Sequence, residues 1–216
     1  MTGKLPPSAS VALTGDDARL FAPAAARNAA ALCDLLRSFA PQCGDALELA
    51  SGTGEHVTAF ATALPGLRWQ PTEPDPDRRA SIDAHVAAAG VSNVAPAIAL
   101  DATAAGWHQT LPRQDLVFLA NLLHLIPAAA ATRLIAEAAL ALKPGGALVV
   151  YGPFQRHGEL TSAGDAEFHA ALQSADPAIG YKDTVDMVQW LSDAALSPID
   201  QAEMPANNLA FIARKP

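Results

Sequence analysis

The chain has 216 residues, half of them apolar and 17% charged, with 14 basic residues against 22 acidic ones. That length makes a single domain, and the apolar content excludes a mainly disordered chain. A net charge of −8 without any block of Lys and Arg excludes a duplex nucleic-acid binder. Cys33 and Cys43 form no CxxC pattern and read as reduced thiols. Met1–Pro7 lacks a secretory apolar core. The most apolar stretch, Leu116 to Ala131, is interrupted by Asn121, His124 and Pro127 and does not suit a membrane span. A cytoplasmic protein without membrane contact is expected.

In chain order, residues 1 to about 20 mix Pro, Gly, Ser and Asp and predict a flexible arm, followed by one domain over 21–216. Leu32, Leu35, Leu36 and Phe39 recur at helical spacing and predict a helix over Phe21–Phe39, ended by Pro41 and Gly44. Ala46–Ala50 predicts a first strand, with a glycine turn at Ser51–Gly54 and a helix over Glu55–Leu64. A second strand, Leu67–Thr72, ends at Glu73 and leads to a helix over Asp77–Ala89. A third, Val94–Leu100, ends at Asp101. A fourth, Asp115–Ala120, ends at Asn121 and His124, with a helix over Ala128–Leu142 behind it. Ala147–Tyr151 is a fifth strand. Helices near Ser162–Gln173 and Thr184–Ala195 precede a hairpin of Leu196–Met204 and Leu209–Ala213. Short apolar strands alternating with helices predict an α/β fold, a parallel sheet covered on both faces. In such sheets ligands bind beyond the carboxyl ends of the strands.

The residues at those ends carry the chemistry. Gly52 and Gly54 let the backbone turn sharply and a ligand approach it. A dinucleotide fingerprint would need a third glycine where Val57 stands, and Glu55 at the helix start would repel a pyrophosphate. S-adenosylmethionine, which has no phosphate and carries a sulfonium, an ammonium and a carboxylate, suits an acidic loop better. Glu48 could take its ammonium, Glu73 both ribose hydroxyls, and Asp101, with Ala102 beside it, the adenine amino group. Singly, each acid has an ordinary alternative as a loop carboxylate or a helix cap; three after three successive strands point to one ligand. The histidines show no metal-ligand spacing, so no metal is expected.

Leu47-Glu48-Leu49-Ala50-Ser51-Gly52-Thr53-Gly54, then Glu73, Asp101 and Leu142-Lys143-Pro144-Gly145-Gly146, resemble the class I methyltransferases. The resemblance implies a Rossmann-like sheet of seven strands in the order 3-2-1-4-5-7-6, strand 7 antiparallel. Ala26-Arg27-Asn28, Ala50–His56, Trp69–Glu73, Asn121–Leu125, Tyr151-Gly152-Pro153-Phe154 and Met204-Pro205-Ala206-Asn207-Asn208 resemble one group more closely, the methyltransferase-like 26 family, long described as a domain of unknown function. One departure is Gly164-Asp165, where that family usually has Ser-Asn, and His169, where it has Phe-Asp within the helix.

The resemblance implies a methyltransferase using S-adenosylmethionine, with Arg27 and Asn28 reaching the methionine carboxylate from the first helix. Ala50, Ser51, Gly52, Gly54 and Asn121 would complete the cofactor site. His124, past the fourth strand, could take a proton from the acceptor near neutral pH or simply bond a backbone group. Tyr151 could orient a nucleophile or serve packing. A small-molecule acceptor is expected. The rival readings are a cofactor-binding protein without turnover and a nicotinamide reductase, which would need the missing third glycine.

Overall fold

The computed structural model describes residues 6, 9–15 and 17–216. Of the expected N-terminal arm, residues 1–5, 7, 8 and 16 lie outside the described residues. Within the rest of it, β1 (Leu13–Thr14) and β2 (Leu20–Phe21) pair antiparallel. Leu20 is tied to the body by its amide, which donates to Ser81 Oγ at 2.8 Å, and by its carbonyl, 2.8 Å from His85 Nε2.

From there strands and helices alternate as the apolar pattern predicts. They run α1 (Pro23–Phe39), β3 (Gly44–Leu49), α2 (Glu55–Ala63), β4 (Leu67–Pro71), α3 (Pro76–Ala89), β5 (Gln114–Ala120), α4 (Ala128–Ala141) and β6 (Leu142–Gln155). The chain ends with α5 (Ala163–Ala175), β7 (Lys182–Asp183), α6 (Thr184–Asp193), β8 (Ile199–Glu203) and β9 (Asn208–Arg214). The sheet order is β4-β3-β5-β6-β9-β8, with the short β7 parallel to the end of β6. β3, β4, β5 and β6 are mutually parallel, and β9 runs antiparallel to β6 and β8.

The expected third strand is where the structure differs. Residues 94–98 run beside β4 through two parallel bridges, Trp69–Val94 within it and Thr72–Ile98 just past its end, on the side that the 3-2-1 order requires. A continuous ladder fails there because Pro71 and Pro96 lack amide protons.

Both faces of the sheet are buried, so its strands carry apolar side chains on both sides. One face packs Leu47, Leu49, Val117, Leu119, Leu148 and Val150 against α4 and α6. The other packs Ala46, Leu116, Phe118 and Val149 against α1 and α2, with Phe60 and Trp69 at its centre. No helix among the described residues is long and apolar enough to cross a membrane.

The two glycines of the turn after β3 have different duties. Gly54, read from the sequence as part of the ligand site, has φ 99°, and a Cβ on it would lie 2.6 Å from Ile82 Cα. It permits α2 and α3 to meet. Gly54→Ala is therefore expected to destabilise the fold by about 2 kcal/mol or more, through overpacking against backbone and an unfavourable φ. Thermal denaturation checks this, with a fall of roughly 5 °C or more.

Candidate active site

β3 ends at Leu49, and the chain turns through left-handed conformations at Ala50 (φ 52°) and Gly52 (φ 61°). Alanine is unfavourable there by about 1 kcal/mol or more, so the turn needs bonds from outside to hold it. Ser51 N donates to Thr72 O at 2.8 Å, and Gly52 N donates to Glu73 Oε2 at 3.0 Å. The other Glu73 oxygen accepts from Asp75 N at 3.3 Å. Glu73 is buried, which pushes its carboxyl up, against the pull of the Asp75 and Gly52 amides and the Arg78 guanidinium. A Cβ on Gly52 would meet nothing closer than 4.0 Å, so this glycine faces open space.

That space is a cavity of about 450 Å³, floored by Ala50, Ser51, Gly52 and Glu73. Arg27 from α1, Arg78 from α3 and Asn121 wall it. A second cavity of about 570 Å³ adjoins it and shares Ala9, Ala24, Arg27 and Asn121. Asn28, His124 and Tyr151 line this second space, together with residues of α5 and of the β8–β9 turn. Asn121 stands between the two. It follows β5 at φ 54°, and its amide donates to Tyr151 O at 2.9 Å.

His124 and Tyr151 of the second cavity, and His56 beside it, are held neutral by burial. Asn28 Oδ1 lies 2.5 Å from His56 Nε2. Burial drives the His56 pKa down to about 4, so its ring is neutral and donates to the Asn28 carbonyl. His124 packs edge-on against Phe168 and Tyr181, with ring centroids 5.7 and 6.1 Å away. Burial, with the Lys182 charge adding to it, lowers the His124 pKa to about 3. Its imidazole is uncharged at neutral pH. Tyr151 is 2% exposed, and its hydroxyl has no hydrogen-bond partner among the described residues. Burial pushes its phenol up.

Of the residues read from sequence, Arg27, Asn28, Ala50, Ser51, Gly52, Glu73, Asn121, His124 and Tyr151 come together around these cavities. Glu48, Gly54, Asp101 and Ala102 line neither. Asp101 Oδ1 accepts from Thr103 N at 2.9 Å and from Thr103 Oγ1 at 2.6 Å, in a local turn. Ala102 is buried, and its carbonyl accepts from Trp107 Nε1 at 3.1 Å. The sequence reading did not reach Arg78 or Tyr181, whereas Asp165 and Phe168 fall in the segment where it found the departure from the family pattern. Arg78 and Asp165 lie in the first turns of α3 and α5. A helix following a parallel strand starts at the carboxyl edge, so first-turn side chains were the available signal.

The fold is that of the class I methyltransferases. An O-methyltransferase family protein from Burkholderia thailandensis matches with a TM-score of 0.76 at 20% identity, over 87% of this chain and 56% of that one. An O-methyltransferase family 2 protein from Planctomyces limnophilus, in complex with apigenin, matches with a TM-score of 0.73 at 20% identity, over 89% and 58%. Human N-acetylserotonin methyltransferase, in complex with S-adenosylmethionine, matches with a TM-score of 0.66 at 18% identity, over 87% and 54%. The chain thus spans about half the length of these proteins. Residues 19–215 match the family described as protein of unknown function DUF938, and the chain belongs to that family.

Beneath the turn lies Glu48, 2% exposed, its Oε2 without a hydrogen-bond partner among the described residues. Burial, with the Glu73 charge adding to it, raises its pKa from 4.5 to about 8. Between those values the unfolded chain has lost a proton that the folded chain keeps, so this group lowers stability as pH rises through the window. Glu48→Gln cannot ionise. The variant is expected to gain thermal stability over the parent near the top of that window and much less near its bottom, as melting curves across pH would record.

Proposed function

We propose that the protein is an S-adenosylmethionine-dependent methyltransferase acting on a small-molecule acceptor in the cytoplasm. The cofactor takes the cavity over the glycine turn, and the acceptor takes the cavity beyond Asn121. The observation that carries this reading is the adjacency of the two spaces at the carboxyl edge of a class I methyltransferase sheet. Assignment to the methyltransferase-like 26 family draws support from the same place. Tyr151 and Pro153 of one distinctive motif, and Pro205, Ala206 and Asn208 of another, line one cavity although they are far apart in sequence.

The donor set suits the cofactor. Ala50 and Gly52 present bare backbone, and the buried Glu73 carboxylate stands where ribose hydroxyls can donate to it. Arg27 is available for the methionine carboxylate. Glu48 lies directly under the turn with an unpartnered oxygen, and its carboxyl gives up its proton when it meets the cofactor's ammonium. Asp101 lies outside the cavity but keeps Oδ2 clear of the bonds from Thr103, and it is assigned, with Ala102, to an adenine end that extends past the cavity.

When bound, the cofactor supplies a methyl group on a sulfonium, which leaves as a neutral thioether. The chain's own task is mainly to hold the acceptor atom in line, for which proximity and orientation supply most of the rate. Asn28, fixed by His56, and the free hydroxyl of Tyr151 orient the acceptor. His124 takes the acceptor proton on an unprotonated ring nitrogen. An imidazole held far below its ordinary pKa is a weak base, and it takes this proton only because the acceptor O–H becomes strongly acidic as its oxygen gains positive charge.

Calorimetric titration with S-adenosylmethionine and S-adenosylhomocysteine tests the cofactor assignment, and folded protein that binds neither at millimolar concentration would overturn it. Glu73→Ala is expected to weaken binding about 10- to 100-fold, the range for hydrogen bonds to a charged group. Gly52→Arg is expected to fold and to lose binding, since its side chain would occupy the cavity. Methyl release in a metabolite panel separates the enzyme from a protein that only binds the cofactor.

A further inference from the structure

The second cavity carries a charge pattern that narrows its occupant. Its charged lining side chains are Arg27, shared with the cofactor cavity, and Asp165. Asp165 lies in the first turn of α5, and three elements hold its carboxylate. Tyr181 Oη donates to Oδ1 at 3.1 Å, while Ser162 Oγ at 2.6 Å and Asn207 Nδ2 at 3.1 Å donate to Oδ2. Burial and the facing carboxylate push the Tyr181 phenol up, so it stays a donor. No cation pairs with Asp165 among the described residues. A carboxylate accepts about four hydrogen bonds, so Oδ1 keeps room for one more donor. The same cavity holds the unpartnered, buried hydroxyl of Tyr151 and the aromatic edges formed by His124, Phe168 and Tyr181.

We propose that Asp165 is the specificity-determining residue of the acceptor cavity and that it selects aromatic acceptors bearing a protonated amine. The ammonium meets Asp165, the ring lies against the His124, Phe168 and Tyr181 group, and the far end of the molecule reaches Tyr151. The Arg27 end of the cavity offers an ammonium no anionic partner of the chain's own, which sets the orientation. This inference rests on the methyltransferase reading for the identity of the cavity, but its binding preference is measured without turnover.

Three probes share a phenol ring and a two-carbon arm: tyramine, with an ammonium; para-ethylphenol, with no charge; and para-hydroxyphenylpropionate, with a carboxylate. Each is titrated into the protein at neutral pH, with and without saturating S-adenosylhomocysteine. Tyramine is expected to bind about tenfold or more tightly than either analogue, the effect of a hydrogen-bonded charge pair. Asp165→Asn keeps the shape and the acceptor for Tyr181, and it should bring tyramine to the level of para-ethylphenol while S-adenosylhomocysteine binds as in the parent. Equal affinities in the parent, a preference for the carboxylate, no binding of any probe, or a preference that survives Asp165→Asn would each overturn the proposal. Should the variant not fold, the ranking in the parent still decides. Failure of S-adenosylhomocysteine to bind the parent counts against the cofactor assignment instead, and the amine ranking is then read from the titrations without it.

Discussion

The bond from the Gly52 amide to the Glu73 carboxylate is the constraint on which the rest of the site depends. β3 and β4 run parallel, with Glu48 beside Pro71, so their ends emerge side by side. Two chain ends leaving a sheet together expose amides and carbonyls that need partners. Here they find one another: Ser51 bonds Thr72, and Gly52 bonds Glu73. The left-handed backbone at Ala50 is unfavourable by itself and persists because these bonds hold it, while Gly52 takes the same conformation without penalty. The reward is a floor of bare backbone with a carboxylate at its margin. Glu48 lies below, its carboxyl removed from water and kept protonated by burial at neutral pH.

Asn121 extends this arrangement sideways. Its amide bonds the carbonyl of Tyr151 within β6, so the end of β5 is held to the neighbouring strand. The residue therefore stands where the two cavities meet. Beyond it several buried polar groups are held neutral, although Arg27 and Asp165 also line that space. His56, His124, Asn28 and Tyr151 are all buried and uncharged, because the cost of burying a charge exceeds what their surroundings return. Lys182 keeps its charge near neutral pH although it is buried. Burial lowers its pKa to about 8, and its Nζ donates to the carbonyls of Ile126 and Gly180 at 2.7 and 2.9 Å, linking the segment after β5 to the one before β7.

The order of elements was legible because apolar runs, glycine and proline act locally. Pro41, Pro65-Gly66, Gly90 and Pro144-Gly145 each mark a boundary within a few residues of where the structure has one. The sequence says less where neighbours decide. Val94–Leu100 is apolar enough for a strand, but Pro71 on the facing strand, with its own Pro96, leaves it only two bridges. Gly54 and Gly52 look alike in sequence, yet one touches the backbone of α3 and the other faces a cavity. Asp101 ends its segment as Glu73 ends β4, but its carboxylate bonds Thr103 and lies outside both cavities.

By itself the sequence determined a parallel α/β domain with its polar residues gathered at one edge. That follows from alternation, turn chemistry and the handedness of crossovers, which are properties of short segments. Only the tertiary structure decided which of those residues share a space. Asp165, Tyr181, Asn207 and Tyr151 come from separate elements, and their spacing along the chain carries no distance information. Their meeting depends on how α5 and the β8–β9 turn pack over the sheet edge, and that packing is set by long-range burial, which no local pattern records.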